Sequence, residues 1–329
     1  MRSHAAVILA VAMVAAFALI AGCTDTGTGD VTHLRIGYQP STHQIAHVTA
    51  MEKGWWQEDL APLGITEVTD YEFGTGAPEM QAMLAGDLDI AYVGAAPFVA
   101  AVSSGLDAKI VAAVQTQGSD LVLRNEIPYS GPADLVGRKI ATFPPGTIQD
   151  TLLRTWLEEN GVDPESVEIV PMKDPGPATT AISAGQVDGV FLPHPSPAII
   201  AASGAGRTVV KSGEMRKDHA CCVLVASGPL IRDHPEIVEQ VVKTHIRATE
   251  YNLEHQDEAA AIYAARSGQN VDIVKASFED WDGTWTADPH LIASSVVEYT
   301  ELQYELGYIK RALTEDDLFD FTFYDEAVA

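Results

Sequence analysis

Two histidines four residues apart, two adjacent cysteines, and a cysteine behind a short apolar leader are the residues of this 329-residue chain best suited to chemistry. His43-Gln44-Ile45-Ala46-His47 sets its imidazoles at i and i+4, on one helical face, the spacing zinc hydrolases use. Those enzymes place glutamate where Gln44 stands, and an amide cannot serve as a general base. No obvious third ligand follows, so the expectation is polar decoration of a helix, with no metal assigned. Cys221-Cys222 opens the strand pattern Cys-Cys-Val-Leu-Val-Ala, in which neighbouring side chains leave on opposite faces. The pair reads as two small buried residues, because adjacent cysteines close a disulfide only through a strained ring. His194, His219 and Cys222 form a looser grouping that could meet a metal or ligand, with neutral cleft histidines the simpler reading. There is no Gly-x-Ser-x-Gly elbow, no phosphate-binding lysine loop and no nucleotide fingerprint. No catalytic residue and no cofactor are expected.

The third cysteine points to location. Arg2 precedes a sixteen-residue apolar stretch, Ala5 to Ile20, which runs into Ile20-Ala21-Gly22-Cys23. A cation, a short apolar segment and a small-residue site describe a secretory signal over residues 1–22, and the stretch is short for a membrane span. Cys23 after Ala-Gly matches a lipobox, so a lipidated Cys23 would anchor the chain to the membrane outside the cytoplasm. Residues 23–33, small and polar, read as a tether. A formal charge of −26, from 46 acidic against 20 basic residues, repels nucleic acid and anionic lipid headgroups. The expected state is a monomer.

The elements that must position these residues alternate strand and helix, which predicts α/β layers with largely parallel sheets. Strands are expected at 34–38, 68–73, 89–93, 109–114, 139–142, 167–170, 189–192 and 221–226. Helices are expected near 43–53, 78–85, 147–160, 178–184, 237–254, 257–266 and 290–306. An internal echo relates Pro78 to Val93 with Pro177 to Leu192: helix, Ala-Gly stop, acidic turn and buried strand, at a constant offset. Two similarly built lobes follow from that echo, each presenting a loop at the carboxyl end of its strand, where open α/β sheets bind ligands.

Leu34-Arg-Ile-Gly-Tyr-Gln-Pro, Gly74-Thr-Gly-Ala-Pro-Glu-Met, Gly86-Asp-Leu-Asp-Ile-Ala-Tyr-Val-Gly and Asp134-Leu-Val-Gly-Arg-Lys-Ile-Ala-Thr occur in that order. Together they resemble the solute-binding proteins of ABC importers for nitrate, taurine and aliphatic sulfonates, a group that includes binders of thiamine precursors. The resemblance covers about Leu34 to Leu306. It implies a two-lobed periplasmic-binding-protein type II fold, with mixed sheets flanked by helices and a ligand cleft between lobes. Lobe one would be 34–117 plus 226–329, and lobe two 118–225. It implies partners too: a small solute, and an ABC permease in the membrane.

The same resemblance suggests contact positions. Gln39, Ser41 and Thr42 follow the first strand and can hydrogen-bond an oxyanion at a helix start. Gly74, Thr75 and Gly76 follow the second, where glycine lets backbone N–H groups approach a ligand. Ala95 and Ala96 repeat that arrangement, Thr147 precedes the longest helix of lobe two, and His194 lies in its Pro-bearing loop. The lobe-one loops contain no Lys or Arg; Lys173 and Arg124 of lobe two are the nearest cations in the reading. The lack of a cationic clamp keeps a pyrimidine-type thiamine precursor beside the sulfonate-like solute. A ligand-sensing subunit is a further alternative. A pyrimidine-synthesising enzyme, faintly suggested by His219-Ala220-Cys221-Cys222, is disfavoured by the export signal.

Overall fold

The structure is a computed structural model that describes Val31–Ala329. The signal segment, Cys23 and most of the tether lie outside the described residues. The tether ends earlier than expected, because the Thr32 carbonyl accepts from Thr66 and Glu67 N–H groups and His33 opens the first strand.

Ten strands are described: β1 (His33–Tyr38), β2 (Glu67–Glu72), β3 (Ile90–Gly94), β4 (Ala108–Thr116), β5 (Ser119–Arg124), β6 (Lys139–Thr142), β7 (Glu168–Pro171), β8 (Gly189–Pro193), β9 (Gly206–Lys211) and β10 (Ala220–Ser227). They form two five-stranded mixed sheets, ordered β2-β1-β3-β10-β4 and β7-β6-β8-β5-β9. In the first, β1 runs parallel to β2 and β3, and β10 runs antiparallel to β3 and β4. In the second, β6 runs parallel to β7 and β8, and β5 runs antiparallel to β8 and β9. The two echoed segments supply the equivalent strands β3 and β8. Every residue of both is buried, as expected for strands covered by helices on each face.

Most expected elements fall within two residues of their observed bounds. The helices Ile148–Glu159, Pro235–Glu254 and Gln256–Ser267 are examples. Two strands escaped the pattern. β5 opens on buried Ser119 and Asp120 ahead of only three apolar residues, and β9 is an edge strand of mixed polarity. Helices Ala95–Ser103, Ser196–Ala202 and Val271–Glu279 were also not expected at those bounds.

The chain crosses between sheets twice. Gln117 and Gly118 join β4 to β5, with φ of 56° and 84°. The second crossing lies between β9 and β10, where Asp218 has φ 54°. The crossings bind each other: Gln117 N–H donates to the His219 carbonyl (3.0 Å), and Asp218 N–H to Gln117 Oε1 (2.8 Å). The expected lobe boundary at 225 therefore needs correction. Ala220–Val225 belongs to the first sheet, because β10 completes the ladders of β3 and β4. Helix Ala293–Glu305 clasps both halves, with Gln303 Nε2 donating to the Ala96 and Gly146 carbonyls (each 3.1 Å).

Candidate functional site

Parallel strands of both sheets end on one cavity. Gln39, Pro40 and Ser41 follow β1, Gly74 and Gly76 follow β2, and Gly94 ends β3. From the second sheet come Phe143, Thr147 and Gln149 after β6, Pro175 after β7, and Pro193 at the end of β8. Carboxyl ends of parallel strands are where open α/β sheets leave room for ligands. The cavity volume is about 30 Å³, room for roughly two waters.

The two rims touch. A Cβ on Gly74 would collide with the Lys173 carbonyl oxygen of the opposite sheet's loop. Thr42 N–H also crosses the gap to the His194 carbonyl (3.1 Å). Glycine is required at position 74 because another backbone closes over it.

Among the described residues, no lysine or arginine lines the cavity. Arg124 is engaged with Glu126 and Asp188 (3.4 and 3.8 Å). Polar capacity comes instead from neutral groups. Helices Gly76–Leu84 and Ala95–Ser103 start at the wall without a side-chain cap, so their first N–H groups lack that partner. Ser41 likewise makes no cap hydrogen bond and stands on the wall. The Thr147 hydroxyl is already committed: it donates to the Pro144 carbonyl (2.8 Å) and accepts from Asp150 N–H (3.3 Å).

Gln39 is positioned from below, its Nε2 donating to Glu79 Oε2 at 2.8 Å. Burial pushes the Glu79 carboxyl well above its usual range, and the Gln39 hydrogen bond only partly offsets this. A carboxyl whose folded value is raised contributes stability that is full below the unfolded value, about 4.5. That contribution is lost as pH rises through the folded value. Glu79→Gln, which stays neutral, should therefore melt closer to its acid-pH temperature than the parent does at pH 8. Parallel melting curves from pH 4 to 8 would refute a buried, protonatable Glu79.

Of the ten expected contacts, Gln39, Ser41, Gly74, Gly76 and Thr147 stand on the wall. The other five do not. Thr42 is buried with its hydroxyl 3.4 Å from that of Ser277. Thr75 lines a separate groove, shared with Pro144–Thr147 of the second sheet's loop. Ala95 and Ala96 are wholly buried behind the wall in the first helical turn. His194 is buried too, stacked on Trp281 (centroids 6.4 Å, 7° between planes) and 3.6 Å from Asp120.

His43, Cys221 and Cys222 are on the wall, and sequence reasoning did not assign them to it. The expectation of opposite faces for the cysteines fails because the β10–β4 ladder shifts register at Ala220/Cys222 and again at Cys222/Val223. A bulge there re-aims side chains, and both sulfurs reach the His43 ring. His43 Nδ1 lies 3.5 Å from Cys221 Sγ, and Nε2 lies 2.6 Å from the Gly118 carbonyl oxygen. A hydrogen bond from Cys222 holds the Cys221 thiol well below the usual range, against burial and with help from His43. The Cys222 thiol is raised for the same reason. The looser His194, His219 and Cys222 grouping does not assemble; His219 instead meets the Tyr299 hydroxyl at 3.0 Å.

A family model described as NMT1-like matches residues 27–266. A putative aliphatic sulfonates-binding protein of Bacillus subtilis (strain 168) is 25% identical over 97% of this chain and 96% of its own length. Among solved structures, the alkanesulfonate-binding protein of Xanthomonas axonopodis pv. citri, bound to MOPS, superposes with TM-score 0.78 at 20% identity. It covers 88% of this chain and 98% of that one. The periplasmic nitrate-binding protein of Synechocystis PCC 6803 superposes with TM-score 0.75 at 16% identity, covering 91% and 89%. These neighbours share the two-sheet fold described above.

Proposed function

Because the chain belongs to the NMT1-like family, we propose that it is the extracytoplasmic solute-binding subunit of an ABC importer and captures a small sulfonate-like solute. The observation that carries this reading is the cavity walled by strand ends of both sheets and closed by Gly74 against the Lys173 carbonyl. In this reading the sheets are the cores of two hinged lobes, the first containing β10. A solute touching both walls favours the closed form, because only differential affinity shifts a conformational population. Ser41, Gln39 and the N–H groups near Gly76 and Gly94 would hold the oxyanion, with Gly74 and Thr147 shaping the rim. The closed protein would then deliver its cargo to a membrane permease, held nearby as a monomer by lipidated Cys23. The relatives are binding proteins, and no catalytic step is assigned to this chain.

A neutral heteroaromatic solute is the second reading, favoured by Phe143 on a wall without lysine or arginine. A thermal-shift screen of the chain from Thr24 separates them. A ligand that binds only the folded state raises the melting temperature with occupancy. Saturable shifts with ethanesulfonate or taurine support the first reading, and a shift with a pyrimidine alone supports the second. No shift from sulfonates, nitrate or pyrimidines with folded protein would overturn both.

A further inference from the structure

We propose that His43, Cys221 and Cys222 form a site for a borderline-soft divalent cation of the zinc class on the wall of the cavity. The three residues are buried, and one ligand atom from each lies within 4.8 Å of the others. Thiolate and imidazole are the donors that zinc takes, and two cysteines with one histidine leave a fourth position free. The distance fits as well. Ligands at about 2.3 Å (sulfur) and 2.05 Å (nitrogen) at a tetrahedral angle stand about 3.5 Å apart. Cys221 Sγ and His43 Nδ1 are 3.5 Å apart.

The histidine is already oriented for the task. A carbonyl oxygen only accepts, so the Gly118 contact puts the ring proton on Nε2 and turns the Nδ1 lone pair toward the sulfurs. A backbone carbonyl on the far nitrogen is how metal-bound imidazoles are commonly held. The bulge in β10 supplies the other half of the arrangement, since a regular strand would send one thiol to the opposite face. On binding, the cation would replace the thiol protons, which pass to solvent. The strongly acidic protein favours approach of a cation, and among the described residues the wall carries no ammonium or guanidinium to compete with it.

A second cluster, Asp120, His194 and Asp280, has comparable spacing. There the Lys211 ammonium already sits 2.6 Å from Asp280, so the charge is neutralised from within. The open fourth position at His43, Cys221 and Cys222 faces the cavity, where an anionic or nitrogen donor of the solute would complete the shell. That last step alone rests on the solute reading given above.

The test is a cobalt titration of the reduced, metal-free protein, followed by displacement with zinc. A thiolate-to-cobalt charge-transfer band saturating at one equivalent, and removed by zinc, is expected. His43→Ala and the Cys221→Ser/Cys222→Ser double variant should each weaken binding beyond the roughly 10- to 100-fold that loss of a supporting residue costs. His194→Asn should leave the band intact. Should the cysteine variant fail to fold, zinc protection of both thiols from a thiol-specific reagent in the parent protein gives the same answer. Absence of the band with both thiols reduced would overturn the site, and so would a band that survives His43→Ala and the cysteine changes. Loss of the band in His194→Asn alone would move the metal to the second cluster and also overturn the proposal. If the band is absent while ethanesulfonate still raises the melting temperature, only the metal site falls. If the band is present without any solute-induced shift, the metal site stands and the sulfonate reading falls.

Discussion

Gly74→Val should abolish tight closure while leaving both halves of the protein folded. The position follows β2, and any β-carbon placed there drives into the Lys173 backbone carbonyl across the cavity. That oxygen belongs to the loop between β7 and helix Pro175–Ser183, which cannot yield as a flexible side-chain tip would. With the rims apart, the added isopropyl group meets water, so the cost falls on the closed state. Overpacking a well-fitted contact costs about 1–3 kcal/mol, which weakens binding on the order of 10- to 100-fold. The check is ethanesulfonate titration calorimetry on parent and variant, with the unliganded melting temperature as the folding control. Small-angle scattering should show the variant more extended than the parent at saturating solute. An unchanged affinity, or a variant as compact as the parent, would remove Gly74 from any role in closure.

Gly74 also marks how far the sequence can be read. Its place after a strand and beside Gly76 predicts backbone N–H groups approaching a ligand, whereas the structure shows a second stretch of backbone closing over it. The partner, a carbonyl 99 residues further along, was invisible, because contacts between loops of different sheets leave no local pattern. Strand ends were legible through apolar runs and turn residues, and those ends brought Gln39, Ser41, Gly76 and Thr147 to the wall. Side-chain direction within a loop was not. His194 has the right loop, yet its ring turns onto Trp281, a residue of the segment after helix Val271–Glu279. Ala95 and Ala96 show the same limit, since a helix start at the wall does not expose every residue of its first turn.

The cysteines expose a different gap. Period-two reasoning holds only while the ladder stays in register, and nothing in Ala-Cys-Cys-Val announces the register shifts at Ala220/Cys222 and Cys222/Val223. The same strand moved the lobe boundary. Cys221 to Ala226 reads as a strand without difficulty, but which sheet it joins depends on ladders with β3 and β4 more than a hundred residues earlier. Topology of that kind was reached through the family resemblance, and there the boundary came out misplaced.

His245 is expected to make this fold acid-sensitive well before most carboxylates titrate. It lies in helix Pro235–Glu254, wholly buried, with Nε2 2.7 Å from the Ala113 carbonyl and Nδ1 3.0 Å from the Tyr92 hydroxyl. Neutral imidazole satisfies both: Nε2–H donates to the carbonyl, and Nδ1 accepts from the tyrosine. A proton on Nδ1 would oppose the tyrosine O–H and place a charge on a fully buried ring. Burial accordingly lowers its pKa from 6.5 to about 4, opposed by the Ala113 carbonyl and assisted by His47. For a depressed histidine the unfolded chain binds the proton more readily. The stability is therefore intact above about pH 6.5 and is lost as pH falls towards 4. A shift of that size corresponds to about 3 kcal/mol across the window, a large share of a typical domain's stability. Buried His47 and His219 are shifted in the same direction, also by desolvation, so acid unfolding should take up more than one proton. The measurement is urea unfolding at intervals from pH 4.5 to 7.5 for the parent and His245→Gln. The variant should start less stable at neutral pH and lose less on acidification, so the two curves converge as pH falls. Curves that stay parallel would mean His245 carries the same proton in both states. The tie between β3, β4 and the long helix would then need another source of its strength.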